Sequence, residues 1–121
     1  MLAAFNPDAP TAVEADASGW ALGGCLRQQG PDQLWRPIAF FSRKFTPAES
    51  NYPVHDKEML AIYACLRHWR SYLSGIPFEV FTDHRNLTFF RSRRSLVERQ
   101  RRWAYELSDF DFKIIHRPGV T

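Results

Sequence analysis

The sequence contains few cysteines and no long hydrophobic segment. Its two cysteines, Cys25 and Cys65, lie in apolar stretches and lack the spacing of a metal site, so we expect buried thiols rather than a disulfide scaffold or a zinc site. There is no run of eighteen apolar residues and no signal-peptide pattern. The sequence therefore indicates no membrane span, and it favours an intracellular protein. Internal repeats and low-complexity runs, which would indicate a solenoid or a disordered chain, are also lacking.

The composition is that of one folded domain. Hydrophobic residues make up 45% of the 121 residues, and ten residues are phenylalanine, which is enough apolar surface for a core without disulfides. Residues 1–10 are polar and interrupted by proline, and we interpret them as a lead-in segment. We therefore expect a single domain over residues 1–121.

The positive charge is concentrated late in the chain and is mostly arginine. Thirteen of the sixteen basic residues are Arg, the side chain best suited to paired contacts with phosphate. Residues 91–102 contain six arginines and a single acid, Glu98. This segment is either a solvated helix face, with Glu98 paired to nearby arginines, or a surface that binds nucleic acid. We favour the second interpretation because carboxylate motifs occur elsewhere in the chain.

The hydrophobic pattern predicts an α/β domain. Strands are predicted at 11–16, 20–28, 35–41, 78–82 and 110–116, and helices at 53–73, 85–90 and 96–108, with a short helical turn after a capping box at Thr46 and Glu49. The first three strands have short links, which predicts an antiparallel meander. The long helix before the fourth strand predicts a right-handed crossover, which makes that strand parallel to the first.

Three acidic residues lie in short motifs on different predicted elements. Asp16 occurs in EADASG, Glu58 in HDKEMLAIYA and Asp83 in FEVFTDHRNL. Each has an ordinary structural explanation: a solvated strand face for Asp16, a surface helix position for Glu58 and a strand-ending turn for Asp83. Convergent carboxylates are, however, the ligands that Mg²⁺ prefers, and an acid on a central strand needs a cation or another partner. Three acids of this kind, if they converge, would therefore suit a hard metal ion.

Four motifs, DAS, KEMLAI, TDHRNL and FDFKIIHRPG, occur in an order and spacing that resemble the ribonuclease H domain of Ty3/gypsy-type LTR retrotransposon reverse transcriptases. The resemblance extends over about residues 5–119. It implies a ribonuclease H-like fold, with a five-stranded mixed sheet in the order 3-2-1-4-5 flanked by helices. In the family the pattern continues to an ADALSR-like motif with a fourth metal-binding aspartate. Since this sequence ends at Thr121, we expect a C-terminally truncated domain with the C-terminal helix missing.

The resemblance also implies a reaction, which is hydrolysis of the RNA strand of RNA–DNA hybrids during reverse transcription. Two Mg²⁺ ions, with Mn²⁺ as an alternative, would lie about 4 Å apart at one phosphate. Asp16 would bridge both ions, while Glu58 and Asp83 would hold the ion that stabilises the leaving group. The expected partners are the hybrid and the polymerase domain of the same polyprotein, in cytoplasmic retroelement particles or in the nucleus.

We predict that several further residues contact the nucleic acid. These are Ser18, Arg85, Arg91, Arg93, Arg94, Arg99, Arg101 and Arg102. His84 and His116 match no catalytic position of the family, and we interpret them as structural. The alternative function is a catalytically inactive nucleic-acid-binding or scaffolding module, because the fourth aspartate is missing and activity could be impaired. A glycosidase is disfavoured, since two acids alone are a weak signal for that chemistry.

Overall fold

The computed structural model describes residues 2–83 and 98–117, which form a mixed sheet with helices packed against it. The elements in these ranges are β1 (Thr11–Ala17), β2 (Ala21–Gln29), β3 (Trp35–Lys44), α1 (Pro47–Ser50), α2 (Val54–His68), α3 (Arg70–Leu73), β4 (Pro77–Thr82), α4 (Glu98–Glu106) and β5 (Asp111–His116). The strand order is β3-β2-β1-β4-β5. The predicted fold class and strand order are confirmed.

The connections between strands determine which strand ends lie together. β1, β2 and β3 are joined by short turns and pair antiparallel, whereas β4 follows the crossover helix α2 and pairs parallel to β1. β5 extends the sheet parallel to β4. β1 is therefore central, and its carboxyl end lies at the same edge of the sheet as the carboxyl end of β4.

The first helical turn has the predicted capping box. The Thr46 hydroxyl accepts from the Glu49 amide at 3.2 Å, and the Glu49 carboxylate accepts from the Thr46 amide at 2.9 Å. Pro47 occupies the first helical position, where its missing N–H costs no hydrogen bond. This turn ends the meander and leads the chain into α2.

The long helix predicted at 53–73 is divided at Trp69. The Trp69 backbone leaves the helical region at φ −99° and ψ 24°, and the short α3 follows before Gly75 turns the chain at φ +83°. The Trp69 side chain is 2% exposed and packs edge-on against Phe41 of β3, at a centroid distance of 6.3 Å. The helix is interrupted where this large side chain enters the core, which the 3.6-residue periodicity does not indicate.

The core lies between the sheet and the face of α2 that packs on β1 and β2. Val13, Leu26, Leu66 and Val80 are fully buried there; each such side chain contributes about 1.5–3 kcal/mol when removed from water. Trp103 of α4 is 2% exposed and completes the core beside α2. Both cysteines are buried and not in a disulfide, as the sequence predicts.

Two predicted helices fall wholly or partly outside the described residues. These are the helix at 85–90 and the first two positions of the helix at 96–108. Among the helices at 2–83 and 98–117, none is both long and apolar enough to cross a membrane.

Candidate metal centre

Three carboxylates from separate elements converge at the carboxyl ends of β1 and β4. Asp16 is the penultimate residue of β1, Asp83 directly follows β4, and Glu58 lies in the second turn of α2. One carboxylate oxygen of each residue lies within 4.8 Å of one oxygen of each of the others. They meet because the parallel pairing of β1 and β4 aligns two strand ends, while α2 crosses the sheet beside them.

Glu58 is the buried member of this cluster. It is 5% exposed, whereas Asp16 and Asp83 are exposed. Burial, followed by the negative charges of Asp16 and Asp83, raises the pKa of Glu58 from 4.5 to about 8, and a hydrogen bond from the Ala17 backbone partly opposes this increase. The same Ala17 amide donates to Asp16 Oδ1 at 2.9 Å. Without a cation, the Glu58 carboxyl therefore holds a proton at neutral pH.

Contacts between the ends of β4 and β5 fix the backbone at Asp83. His116 Nε2 lies 3.2 Å from the Asp83 carbonyl oxygen, and the Arg117 amide donates to the Thr82 carbonyl at 2.8 Å. The histidine thus contacts the backbone of a cluster residue, and its structural role stays a prediction. These contacts hold the Asp83 backbone while its carboxylate remains exposed beside Asp16.

The donor set fits a hard divalent cation. Its three members supply carboxylate oxygen, the ligand type that Mg²⁺ and Mn²⁺ select. Burial, and after it the negative charges of Asp16 and Asp83, raise the pKa of the buried Glu58, and a cation between the carboxylates would offset both effects by favouring the ionised form. Asp16, Glu58 and Asp83 could therefore hold a metal together, two of them open to solvent and one anchored in the core.

A surface cavity of about 300 Å³ adjoins the carboxylates. Phe40, Phe81 and Arg117 contribute to its walls, together with Asp16 and Asp83. The Arg117 guanidinium lies over the Phe81 ring at 4.5 Å from the ring centroid. The cavity therefore combines acidic, aromatic and cationic walls.

Comparison with known proteins identifies the family. Residues 6–110 match the model of the RNase H-like domain found in reverse transcriptase. The chain is also 45% identical over 111 residues to the transposon Tf2-3 polyprotein of Schizosaccharomyces pombe, a match that covers 88% of the chain. This chain belongs to the RNase H-like domain family of reverse transcriptases. The predicted resemblance to Ty3/gypsy-type elements is confirmed.

The RNase H-like domain corresponds to a small part of its curated relatives, since the match covers 8% of the Tf2-3 polyprotein. Two solved structures share its fold. A foamy viral protease-reverse transcriptase in complex with RNA/DNA hybrid aligns with a TM-score of 0.73 and 22% identity, over 99% of this chain and 17% of that one. RNase H1 from Halobacterium salinarum NRC-1 aligns at 0.58 and 16% identity, over 88% of this chain and 86% of that one.

The structure brings the three predicted metal ligands together, and it describes four of the predicted nucleic-acid contacts, Ser18 in the β1–β2 turn and Arg99, Arg101 and Arg102 on α4. Ser18 closes the β1–β2 turn: its Oγ donates to the Ala21 carbonyl at 3.2 Å and accepts from the Ala21 amide at 3.1 Å. Arg85, Arg91, Arg93 and Arg94 lie outside the described residues. The roles of these residues in nucleic-acid binding remain predictions.

The three described arginines of the basic segment differ in their surroundings. Arg99 donates from Nε and Nη2 to Asp56 Oδ2, at 2.9 and 2.6 Å. Arg101 and Arg102 are exposed on α4, and Arg102 Nε lies 4.0 Å from a Glu106 carboxylate oxygen. The Arg101 and Arg102 side chains are thus exposed, and the Arg99 guanidinium is paired with the Asp56 carboxylate. Whether the three bind nucleic acid remains a prediction.

Sequence reasoning missed the role of Asp56. From the sequence, Asp56 is an alternative acid to Glu58 on the same helix, and its position in the first turn of α2 is explained by a favourable interaction with the helix dipole. The structure shows a carboxylate that is 4% exposed and binds side chains of α4. The available signal was helical spacing, since Asp56 precedes the buried Met59 and Leu60 by three and four residues and so lies on the buried face of α2.

Proposed function

We propose that this RNase H-like domain is a metal-dependent endonuclease that hydrolyses the RNA strand of RNA–DNA hybrids during retrotransposon reverse transcription. The observation that supports it most directly is the convergence of Asp16, Glu58 and Asp83 within 4.8 Å. Such a cluster at the carboxyl ends of two parallel strands suits chemistry at a phosphate, because a cation there can approach a phosphodiester from solvent.

The three carboxylates differ in exposure, so they would contact a bound metal ion from different sides. Asp16 and Asp83 are exposed and would hold Mg²⁺ from the solvent side, while the buried Glu58 would hold it from the core. A bound divalent cation at such a site supplies an activated water and stabilises the charge on the leaving oxygen. Glu58 must lose its proton to act as a ligand, since its pKa without metal is about 8. The Ala17 amide holds Asp16 in place.

The choice of substrate rests on the family and on charge. The curated relatives are named as transposon polyproteins, and one structural neighbour is a reverse transcriptase in complex with RNA/DNA hybrid. In this chain, α4 presents Arg101 and Arg102 to solvent, which suits contact with backbone phosphates. Selection of RNA over DNA would come from 2′-hydroxyl contacts and groove shape rather than from base readout.

Cleavage of a labelled hybrid tests the proposal. The chain is incubated with a 5′-labelled RNA strand paired to DNA, in Mg²⁺, in Mn²⁺ and in EDTA, with a DNA duplex of the same sequence as the comparison substrate. We expect metal-dependent cleavage of the RNA strand alone. Asp16→Asn should abolish it, because the variant keeps the shape of the side chain and removes a ligand charge.

Glu14→Gln is the matched control for loss of one carboxylate from the same strand. Glu14 lies two residues before Asp16 and pairs with Arg27 at 3.1 Å, outside the cluster, so cleavage should persist in this variant. Equal activity of Asp16→Asn and wild type would contradict the proposal. Hybrid binding without cleavage, in this chain and in a version extended beyond residue 121 through the expected fourth aspartate, would favour the binding module instead.

A further inference from the structure

In the part of the chain that the structure describes, two polar connections join α4 to α2, and the carboxylate of the first is buried. Asp56 of α2 accepts from Arg99 Nε and Nη2 at 2.9 and 2.6 Å, and from the Gln100 side-chain amide. Asp56 is 4% exposed, so its charge depends on these partners for compensation. The Arg99 guanidinium also lies over the Tyr52 ring, 4.2 Å from its centroid.

The second connection lies two helical turns further along both helices. Glu106 of α4 accepts from the Tyr63 hydroxyl at 2.9 Å and from Arg67 Nη1 at 2.7 Å. Asp56 and Arg99 are 43 positions apart in the chain, and so are Tyr63 and Glu106. The constant offset means that the two helices run side by side in the same direction.

The arrangement of the charges is reversed between the two connections, because each helix supplies the acid at one connection and the base at the other. α2 supplies the acid, Asp56, at the first connection and the base, Arg67, at the second, while α4 supplies Arg99 and then Glu106. Sliding α4 along α2 would leave the buried Asp56 carboxylate without its partners, and an unpaired buried charge is costly. The pairs therefore specify one register of α4 on α2.

This register also relates the positions of the α4 arginines to the position of the carboxylate cluster. Asp56 precedes Glu58 by two residues, and Arg99 precedes the exposed Arg101 and Arg102 by two and three. We propose that Asp56 and Arg99 form a positioning pair, which sets where the exposed arginines of α4 meet the nucleic acid relative to the metal-binding carboxylates. Arg99 is then a structural cation and not a phosphate ligand. This inference rests on the proposed function.

The substitution Arg99→Lys separates the two roles of Arg99. Lysine keeps the charge that a phosphate needs, but it cannot reproduce the fork from Nε and Nη2 to Asp56. For a positioning pair, we expect Arg99→Lys to lower kcat/KM by about tenfold, mostly through kcat, because small misplacements at a reacting phosphate are costly. The cleavage positions along the RNA strand should also spread.

Arg43→Lys is the matched control. Arg43 makes a similar fork to Glu49, at 2.8 and 3.2 Å, and its side chain is 36% exposed, the same value as for Arg99. The fork joins β3 to α1 and does not contact α4, so the control should lose some stability and keep its cleavage pattern. Circular dichroism at the assay temperature, below the melting point of every variant, establishes that each is folded.

The salt dependence of hybrid binding gives an independent readout. Loss of one phosphate contact reduces the slope of log Kobs against log salt by about 0.9. We expect Arg102→Gln to show this reduction and Arg99→Gln to keep the wild-type slope. A reduced slope in Arg99→Gln, or wild-type kinetics in Arg99→Lys, would overturn the positioning role while leaving the proposed function intact. Absence of both binding and cleavage in the wild-type chain would overturn both proposals.

Discussion

At the scale of single residues, the burial of Glu58 among other acids makes the stability of the metal-free protein depend on pH. The pKa of Glu58 is raised from 4.5 to about 8, so the folded state binds a proton more tightly than the unfolded chain. Below pH 4.5, Glu58 is protonated in both states and does not lower the free energy of unfolding. As the pH rises from 4.5 towards 8, ionisation in the unfolded chain lowers that free energy progressively. Glu49 has the opposite effect on the pH dependence of stability, because its hydrogen bond with Arg43 lowers its pKa in the folded state.

Glu58→Gln should therefore stabilise the metal-free protein at alkaline pH. The neutral amide avoids the charge that the cluster opposes, so the variant should equal wild type near pH 4.5 and exceed it at pH 8 and above. Solvent at the mouth of the cluster screens the repulsion, and the gain should be on the order of 2 kcal/mol.

Urea denaturation in EDTA at several pH values measures this difference directly. Other carboxyls also titrate, such as Asp32, whose pKa is lowered by Arg36 to about 2. They are present in both proteins, so their contributions cancel in the difference between the variant and wild type. A stability difference between the Glu58→Gln variant and wild type that stays constant from pH 5 to pH 8.5 would show that folding does not raise the pKa of Glu58.

At the scale of elements, Gly24 allows β1, β2 and α2 to approach each other. A Cβ atom at this position would lie 2.5 Å from the Glu14 carbonyl oxygen of β1 and 2.7 Å from Cys65 Sγ of α2. Both neighbours are held by the sheet and the core, so an added methyl group must push the elements apart. Because Asp16 follows Glu14 on β1, the same displacement reaches the carboxylate cluster.

Gly24→Ala should lower the free energy of unfolding by about 2–3 kcal/mol, as overpacked cores do. The control is Gly19→Ala, because a Cβ atom at Gly19 meets nothing within 4 Å and the change should stay within about 0.5 kcal/mol. Thermal unfolding followed by circular dichroism compares the two variants. Similar melting temperatures for both variants would mean that the protein accommodates an added methyl group at Gly24 without loss of stability.

The sequence predicted the elements better than the contacts between them. Alternation and helical periodicity are local properties, and they located the five strands and α2 to within three residues at most ends. The division of the long helix at Trp69 and the burial of Asp56 depend on side chains far along the chain. No local pattern contains that information. The strand order, and the three acids that the structure brings together, could be predicted because the motifs resemble a known family.

At the scale of the whole molecule, the carboxylate cluster would link binding of a metal ion to folding. The cluster is assembled from β1, α2 and the end of β4, so the unfolded chain does not retain it. A cation that binds only the folded state stabilises it by about 2.7 kcal/mol at one hundred times its dissociation constant. The effect must follow the protonation of Glu58, since a proton on this carboxyl competes with the metal.

Mg²⁺ should therefore raise the melting temperature by several degrees, and more at pH 8 than at pH 6. Scanning calorimetry with MgCl₂, against NaCl at the same ionic strength, separates binding from general screening. Asp16→Asn should lose the shift, whereas Glu14→Gln should keep it, because Glu14 lies outside the cluster. Equal shifts in wild type and Asp16→Asn would place the cation elsewhere. A shift that decreases from pH 6 to pH 8 would mean that proton release from Glu58 does not limit metal binding.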